Sequence, residues 1–339
     1  MIQARKLALA AFVAAPFALP AQAQAPLTYS SWVPPTHHLT IWQANWAADV
    51  EKATGGRVKF QGLPKAPAAP PGTFDAVRDG LVDLSYVTAS YTPARHILPL
   101  MAELPGAGET AEINSVAYSR IHWKYFQKLG EYKGVKLLAV WTHGPGQMFT
   151  KKQIHSLNDF QNLKIRTGGG ISAEVITALG GSPFFKPAPE SYELLNSGVA
   201  DGVFFPLESI VSFKLDKVIG QGTIFPGGLY SSSFGFFINE DKWNKLARQD
   251  QAIIEKYAGE YAARSNGKSW DAADQLGLNA LKAAGARIVT ADPTMRAEAQ
   301  KRSGPIIEDW IKKASAKGVD AKAILAEFHA ELKKVAAGK

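Results

Sequence analysis

The chain has 339 residues, 46% of them hydrophobic and 20% charged, and it has no cysteine. That length suggests about two domains with sizeable cores, and the missing thiols exclude disulfides, thiolate zinc sites, iron–sulfur ligation and a cysteine nucleophile. Its 38 basic and 30 acidic residues give a formal charge of +8, spread along the chain rather than gathered into the stripe that a nucleic-acid binder shows.

Arg5 and Lys6 precede an uncharged apolar run from Leu7 to Leu19, and Ala21-Gln22-Ala23 follows with small-x-small spacing. This is the grammar of a secretory signal peptide over residues 1–23. Its apolar part is too short to span about 30 Å of hydrocarbon. No later run is long enough either, so the expected mature chain is exported and does not insert into a membrane after signal removal. Residues 27–32 are β-prone. Leu39, Trp42, Trp46 and Val50 recur at helical spacing over residues 38–52, and Gly55-Gly56 ends that helix. Residues 57–60 return to strand, and the four prolines of residues 62–72 make a loop. Helices are expected over residues 73–80, 109–129 and 174–179, and strands over 84–87, 135–141, 163–166, 203–205 and 234–238. Ser156-Leu157-Asn158-Asp159 has the form of a capping box opening a short helix, and Pro189-Glu190 begins another. Residues 241–284 are nearly free of helix breakers and read as one or two long helices. Alternating strands and helices predict α/β layers with mostly parallel sheet.

One internal echo outweighs any single motif. Residues 74–86 run aromatic, acid, two apolar, two polar, Gly80, two apolar, Asp83, then strand; residues 192–204 repeat the run through Gly198 and Asp201. Each copy reads as a helix stopped by glycine, with aspartate in the turn before a buried strand. Two copies predict two similar lobes, and therefore a cleft between them where a small ligand binds.

Enzymatic chemistry finds little support. No G-x-S-x-G elbow and no H-E-x-x-H appears. His37 and His38 are adjacent, and on a strand neighbouring side chains point to opposite faces. His143, His155 and His329 are read as surface or loop histidines. Gly168-Gly169-Gly170-Ile171-Ser172-Ala173 formally fits G-x-G-x-x-A, but Arg166 at the strand end does not suit a dinucleotide loop. An anion site suits these residues better. Arg166 ends a strand, glycines let the backbone turn closely, and a helix N-terminus follows with free N–H groups. A guanidinium there holds a carboxylate through two parallel hydrogen bonds. The competing reading is an ion pair with an acid elsewhere in the fold.

The segment Leu163-Lys164-Ile165-Arg166-Thr167-Gly168-Gly169 resembles the ligand-arginine segment of TRAP-transporter (tripartite ATP-independent periplasmic) solute-binding proteins. The stretches at residues 49–58, 74–83, 141–152, 156–160, 197–202 and 270–274 resemble other parts of that family in the same order. The resemblance implies an α/β, two-lobed periplasmic binding protein (type II-like) with a long helix crossing both lobes. Lobe I would comprise residues 24–150 plus about 232–265, and lobe II residues 151–231 plus about 266–339. It implies an arginine, here Arg166, that forms a salt bridge with the ligand carboxylate, and delivery of the ligand in the periplasm to TRAP permease membrane subunits. No enzyme activity, cofactor, metal or nucleic acid is expected.

The chain departs from the family pattern in two places. Many members carry a second arginine where this chain has Gly146, with Gln147 beside it, and a polar Gln-Glu-Asn where it has Val203-Phe204-Phe205. A sugar acid or dicarboxylate thus loses two partners, and each unpaired polar group costs about 1–3 kcal/mol. Phe205, Trp32, Tyr86, Tyr91 and Tyr230 are available for an apolar wall, Gly168 for close backbone approach, and Gln147 for a second ligand oxygen. Lys65 is a weaker candidate cation. The expected ligand is a monocarboxylate with an apolar or aromatic body. Two other readings stay open: an exported enzyme acting on a small carboxylic acid, and a binding protein serving a chemoreceptor.

Overall fold

The computed structural model describes residues 25–339, so the expected signal peptide lies outside the described residues. Along the chain, β1 (Leu27–Tyr29), α1 (His38–Ala53), β2 (Phe60–Gly62), α2 (Thr73–Arg78), β3 (Leu84–Thr88), α3 (Ala111–Ile121) and β4 (Val135–Thr142) come first. There follow β5 (Gln147–Thr150), β6 (Lys164–Thr167), α4 (Gly170–Ala178), β7 (Ser182–Phe185), α5 (Ser191–Asn196), β8 (Gly202–Phe205), α6 (Ser209–Ser212) and β9 (Gln221–Ile224). The last part holds β10 (Ser233–Asn239), α7 (Glu240–Lys245), α8 (Arg248–Lys256), α9 (Gly259–Ala283), β11 (Arg287–Thr290), α10 (Pro293–Ser315) and α11 (Ala321–Ala336).

Two sheets result, ordered β2-β1-β3-β10-β4 and β11-β9-β5-β8-β6-β7. Within each, the strands run parallel except one inserted from the other half of the chain. That strand is β10 in the first sheet, antiparallel to β3 and β4, and β5 in the second, antiparallel to β8 and β9. The chain therefore crosses between lobes after β4 and again after β9. The two crossings meet at a bridge between Gly146 and Tyr230, where the Gly146 N–H reaches the Tyr230 carbonyl at 2.7 Å.

The sequence echo is a structural one. Gly80 and Gly198, at φ +76° and +77°, stop α2 and α5. Asp83 then accepts from the Thr28 N–H at 2.7 Å at the edge of β1, and Asp201 accepts from the Lys164 N–H at 2.8 Å at the start of β6. In each lobe one aspartate ties the incoming strand to its parallel neighbour.

The crossing helix is α9, whose 25 residues span about 37 Å. Two aspartates one turn apart hold it to both lobes. Asp271 accepts from the Ala111 and Glu112 N–H groups that open α3, and Asp274 accepts from the Glu208 N–H before α6. Glycine in a helix interior costs about 0.5–1 kcal/mol relative to alanine; here it permits contact. A Cβ on Gly267 would lie 2.5 Å from the Glu112 Cα, and one on Gly277 would lie 1.8 Å from the Leu207 carbonyl oxygen.

Several expected elements differ. Residues 156–162 turn without forming a helix, although the Asp159 carboxylate does reach back to the His155 and Ser156 N–H groups. The expected helix over 109–129 ends as α at Ile121 and continues through a π turn at His122–Phe126. Residues 241–284 form three helices rather than one or two; the chain is extended at Leu246 and Ala247 where Trp243 turns inward, and Gly259 (φ +53°) opens α9. α11 packs on α3, beside the first sheet. No helix among the described residues is long and apolar enough to cross a membrane.

Candidate functional site

Arg166 sits on β6, two-sidedly buried and 2% exposed. Its Nε and Nη2 donate to the Lys186 carbonyl at 2.9 and 2.7 Å. The guanidinium carbon lies 4.4 Å above the centre of the Phe205 ring on β8. Among the described residues no carboxylate stands within 4.0 Å of it. Burial lowers its pKa below the usual arginine value, with the Tyr91 and Tyr230 phenols beside it offsetting part of that. An unpaired buried cation costs several kcal/mol. The competing reading, a structural ion pair, is not what the fold contains.

Arg166 opens onto an interlobe cavity. Trp32, His37, Thr88 and Tyr91 line it from the first lobe, and Gly168, Phe205, Glu208 and Phe213 from the second. His143 and Tyr230 on the two crossings, and Trp270 on α9, complete it. The space open to the centre of a water molecule is about 50 Å³. Allowing for the water's own radius, that holds one compact, ring-sized molecule. The lobes are closed over it, since the Ala188 N–H of one donates to the Tyr91 hydroxyl of the other at 2.9 Å.

Of the residues expected at the site, Arg166, Phe205, Trp32, Tyr91, Tyr230 and Gly168 come together in this lining. Gln147 does not. Its side-chain amide is used twice on the second crossing, accepting from the Phe225 N–H at 2.7 Å and donating to the Phe225 carbonyl at 3.3 Å. Tyr86 is not in the lining either. It shares a strand face with Thr88 but sits two residues deeper, under Trp32 (ring centroids 5.6 Å apart), with its hydroxyl 2.7 Å from the Ser31 oxygen. Lys65 is exposed and outside the lining. At Gly146, the place of the second arginine, a Cβ would lie 2.2 Å from the Tyr230 ring, so the aromatic ring fills that position.

The helix N-terminus after Arg166 already faces a carboxyl group of the protein's own. Gly169 and Gly170 adopt φ +114° and +60°, and a Cβ on Gly170 would lie 2.9 Å from Glu103 Oε2. Glu103 is fully buried against the start of α4, where it accepts from the Ser90 hydroxyl and from the Ser233 N–H and hydroxyl. Burial pushes its pKa up to about 7, against those hydrogen bonds and one from the Ile171 N–H. The Ile171 N–H is thus answered by Glu103 and the Gly169 N–H by the Thr167 hydroxyl at 3.1 Å. Arg166 has no such carboxyl group beside it among the described residues.

Sequence reasoning missed the second polar group of the cavity. His37 caps and His38 opens α1, where helical spacing places the helix start, so the strand argument for the pair does not apply and neighbouring side chains need not oppose each other; their rings lie 4.7 Å apart. His37 caps the helix, its Nδ1 accepting from the Leu39 N–H at 3.1 Å. The proton is therefore on Nε2, which donates to Glu208 Oε1 at 3.0 Å. His37, His38 and Glu208 are the one group of possible metal donors within 4.8 Å of one another among the described residues, but the cap leaves no lone pair on the His37 nitrogen that faces the group. Burial lowers the His37 pKa to about 3 and raises that of Glu208 to about 7. His143, expected at the surface, is 5% exposed and lies edge-on to Tyr230; burial lowers its pKa to about 4. His155 and His329 are exposed, as expected.

Comparison with known proteins follows the same lines. Residues 29–313 match the family model DctP, bacterial extracellular solute-binding protein, family 7. A TRAP periplasmic solute-binding protein from Bordetella bronchiseptica, solved with bound (R)- and (S)-mandelate, is 46% identical; the likeness covers 92% of this chain and 100% of that one, with a TM-score of 0.90. A TRAP solute-binding protein from Rhodoferax ferrireducens, solved with copurified benzoate, is 25% identical over 92% of this chain and 98% of that one, with a TM-score of 0.86. The outer membrane transporter protein TsaT of Comamonas testosteroni is 28% identical over 96% of this chain and 97% of its own length. With two lobes closed over a cavity that a buried arginine enters, and a family match over nearly its whole length, the chain belongs to bacterial extracellular solute-binding protein family 7, the DctP family of TRAP solute-binding proteins.

Proposed function

We propose that this protein captures an aromatic or otherwise apolar monocarboxylate in the interlobe cavity, gripping the carboxylate with Arg166. The observation that carries this is the guanidinium itself: buried, stacked on Phe205 and without a carboxylate partner among the described residues. A ligand carboxylate supplies the missing charge, and the aromatic lining takes the body. The bound mandelate and benzoate of the two related structures support that ligand class. Trp32, Tyr91, Phe205 and Tyr230 bury the ring, and Gly168 gives it room. Closure is a population shift toward the state the ligand bridges.

The chain is exported by its N-terminal segment, cleaved after Ala23, and works in the periplasm. Lobe I is built on the first sheet and lobe II on the second, and the closed form docks on TRAP permease membrane subunits. No chemical step is part of this reading. A thermal-shift screen of aromatic, 2-oxo, hydroxy and dicarboxylic acids tests it; a ligand at 100 times its Kd adds about 2.7 kcal/mol of stability. Aromatic monocarboxylates are expected to raise the melting temperature and to be recovered unchanged. A response to dicarboxylates alone, or conversion of the acid, would sink the reading. N-terminal sequencing of the exported protein should begin at Gln24.

A further inference from the structure

The cavity has a second polar pole that a plain aromatic acid leaves unused. Glu208 is 1% exposed and lines the cavity. Its Oε1 receives the His37 Nε2–H and the Ser212 hydroxyl, and its Oε2 receives the Ser209 hydroxyl at 3.0 Å. Beside it, His38 Nε2 is buried with no hydrogen-bond partner, 3.9 Å from Glu208 Oε1. That is too far for a hydrogen bond. Carboxylate oxygens each accept two hydrogen bonds, so Oε2 has capacity to spare.

This pole is set apart from Arg166 by aromatic rings. The guanidinium lies over Phe205, Phe205 stacks on Phe213 at 5.6 Å and 21°, and Phe213 meets His37 at 5.7 Å. A flat acid lying along the Phe205–Phe213 stack, its carboxylate on Arg166, turns its far edge toward His37 and Glu208. Glu208 already holds three donors; a ligand hydroxyl adds a fourth at Oε2, which a C–H edge cannot.

We propose that Glu208, positioned by His37, reads a hydroxyl on the side of the ligand away from its carboxylate, so that the preferred ligand is a hydroxy-substituted aromatic acid. This rests on the reading of Arg166 as the carboxylate grip. A buried hydrogen-bonding site rejects analogues that cannot answer it.

Calorimetry of the mature protein with benzoate, 3-hydroxybenzoate, 4-hydroxybenzoate and the two methoxybenzoates tests the inference. One hydroxy acid should bind at least about tenfold tighter than benzoate and than its own methoxy ether, the range of one hydrogen bond to a charged group. Glu208→Gln should bring that ratio below about threefold. His37→Asn keeps a helix-capping side chain but is too short to anchor Glu208, and should lower the ratio too if the first variant fails to fold. Benzoate binding as tightly as both hydroxy acids, or a ratio untouched by either variant, overturns the inference while leaving the Arg166 reading in place. Binding of none of the five acids also overturns the inference, while the Arg166 reading then stands or falls on the wider acid screen.

Discussion

Replacing Arg166 by methionine keeps most of the side-chain volume and removes only the charge and its donors. In the ligand-free protein the loss is small. The guanidinium is answered by the half-buried Lys186 carbonyl and the Tyr91 phenol, with no carboxylate partner among the described residues, and removing a buried cation that has no ionic partner recovers desolvation energy that offsets the lost hydrogen bonds. The ligand-free stability of Arg166→Met should therefore stay within about 1 kcal/mol of the parent. In the complex the loss is large, because the ligand carboxylate is left buried among Phe205, Tyr91 and Tyr230 without a partner. Breaking a buried pair from one side costs about 3–5 kcal/mol, and at about 1.4 kcal/mol per decade that is about a hundredfold to several thousandfold in Kd. Arg166→Lys should fall in between, since one ammonium cannot hold the Lys186 carbonyl and a carboxylate with the planar fork of arginine. Calorimetry with the tightest acid from the screen measures affinity, and chemical denaturation without ligand measures stability. If Arg166→Met bound within threefold of the parent, or unfolded by several kcal/mol without ligand, the arginine would be a structural strut and the reasoning would fail.

Gln147→Leu should lower stability by about 1–3 kcal/mol in urea melts, because both Phe225 backbone groups lose their partner; affinity for the acid should hold. Gly170→Ala puts a methyl 2.9 Å from Glu103 Oε2 at φ +60°, so it should weaken binding by opposing closure of α4 on the first lobe; calorimetry showing unchanged affinity would refute that. Buried histidines and buried carboxyls should pull the pH dependence of stability in opposite directions. Burial depresses His37 and His122 to about 3 and His96 and His143 to about 4, so their contribution is present above 6.5 and lost as pH falls through those values. Glu103 and Glu208, raised to about 7, act the other way: their contribution is full below about 4.5 and lost as pH rises through 7. Asp274, Asp271, Glu131 and Glu174 are also raised by burial and act with Glu103 and Glu208, so the two sets oppose each other. Each buried neutral histidine by itself steepens the acid limb by up to about 1.4 kcal/mol per pH unit. His122→Phe, which removes a buried ring with neither nitrogen bonded, should flatten that limb in melts between pH 4 and 6.

The sequence by itself determined much of this protein. Periodicity, glycine stops and the repeated aspartate turn are local signals, and they located most strands and helices and the pairing of two similar lobes. Arg166 was legible because a cation ending a buried strand before a glycine turn is unusual in its local setting. Partners from distant parts of the chain were not legible. Gln147 lies beside the cavity in sequence but spends its amide on Phe225, 78 residues away. Tyr86 has the right strand face but lies beneath Trp32. Glu103 reaches the start of α4 from the other lobe. His37 and His38 face Glu208 because a helix begins there, and no pattern near Glu208 records which histidines it will meet. Local propensity fixes what each segment becomes; which buried polar groups satisfy one another is settled only when both lobes close, since desolvation makes each such pairing a property of the whole fold.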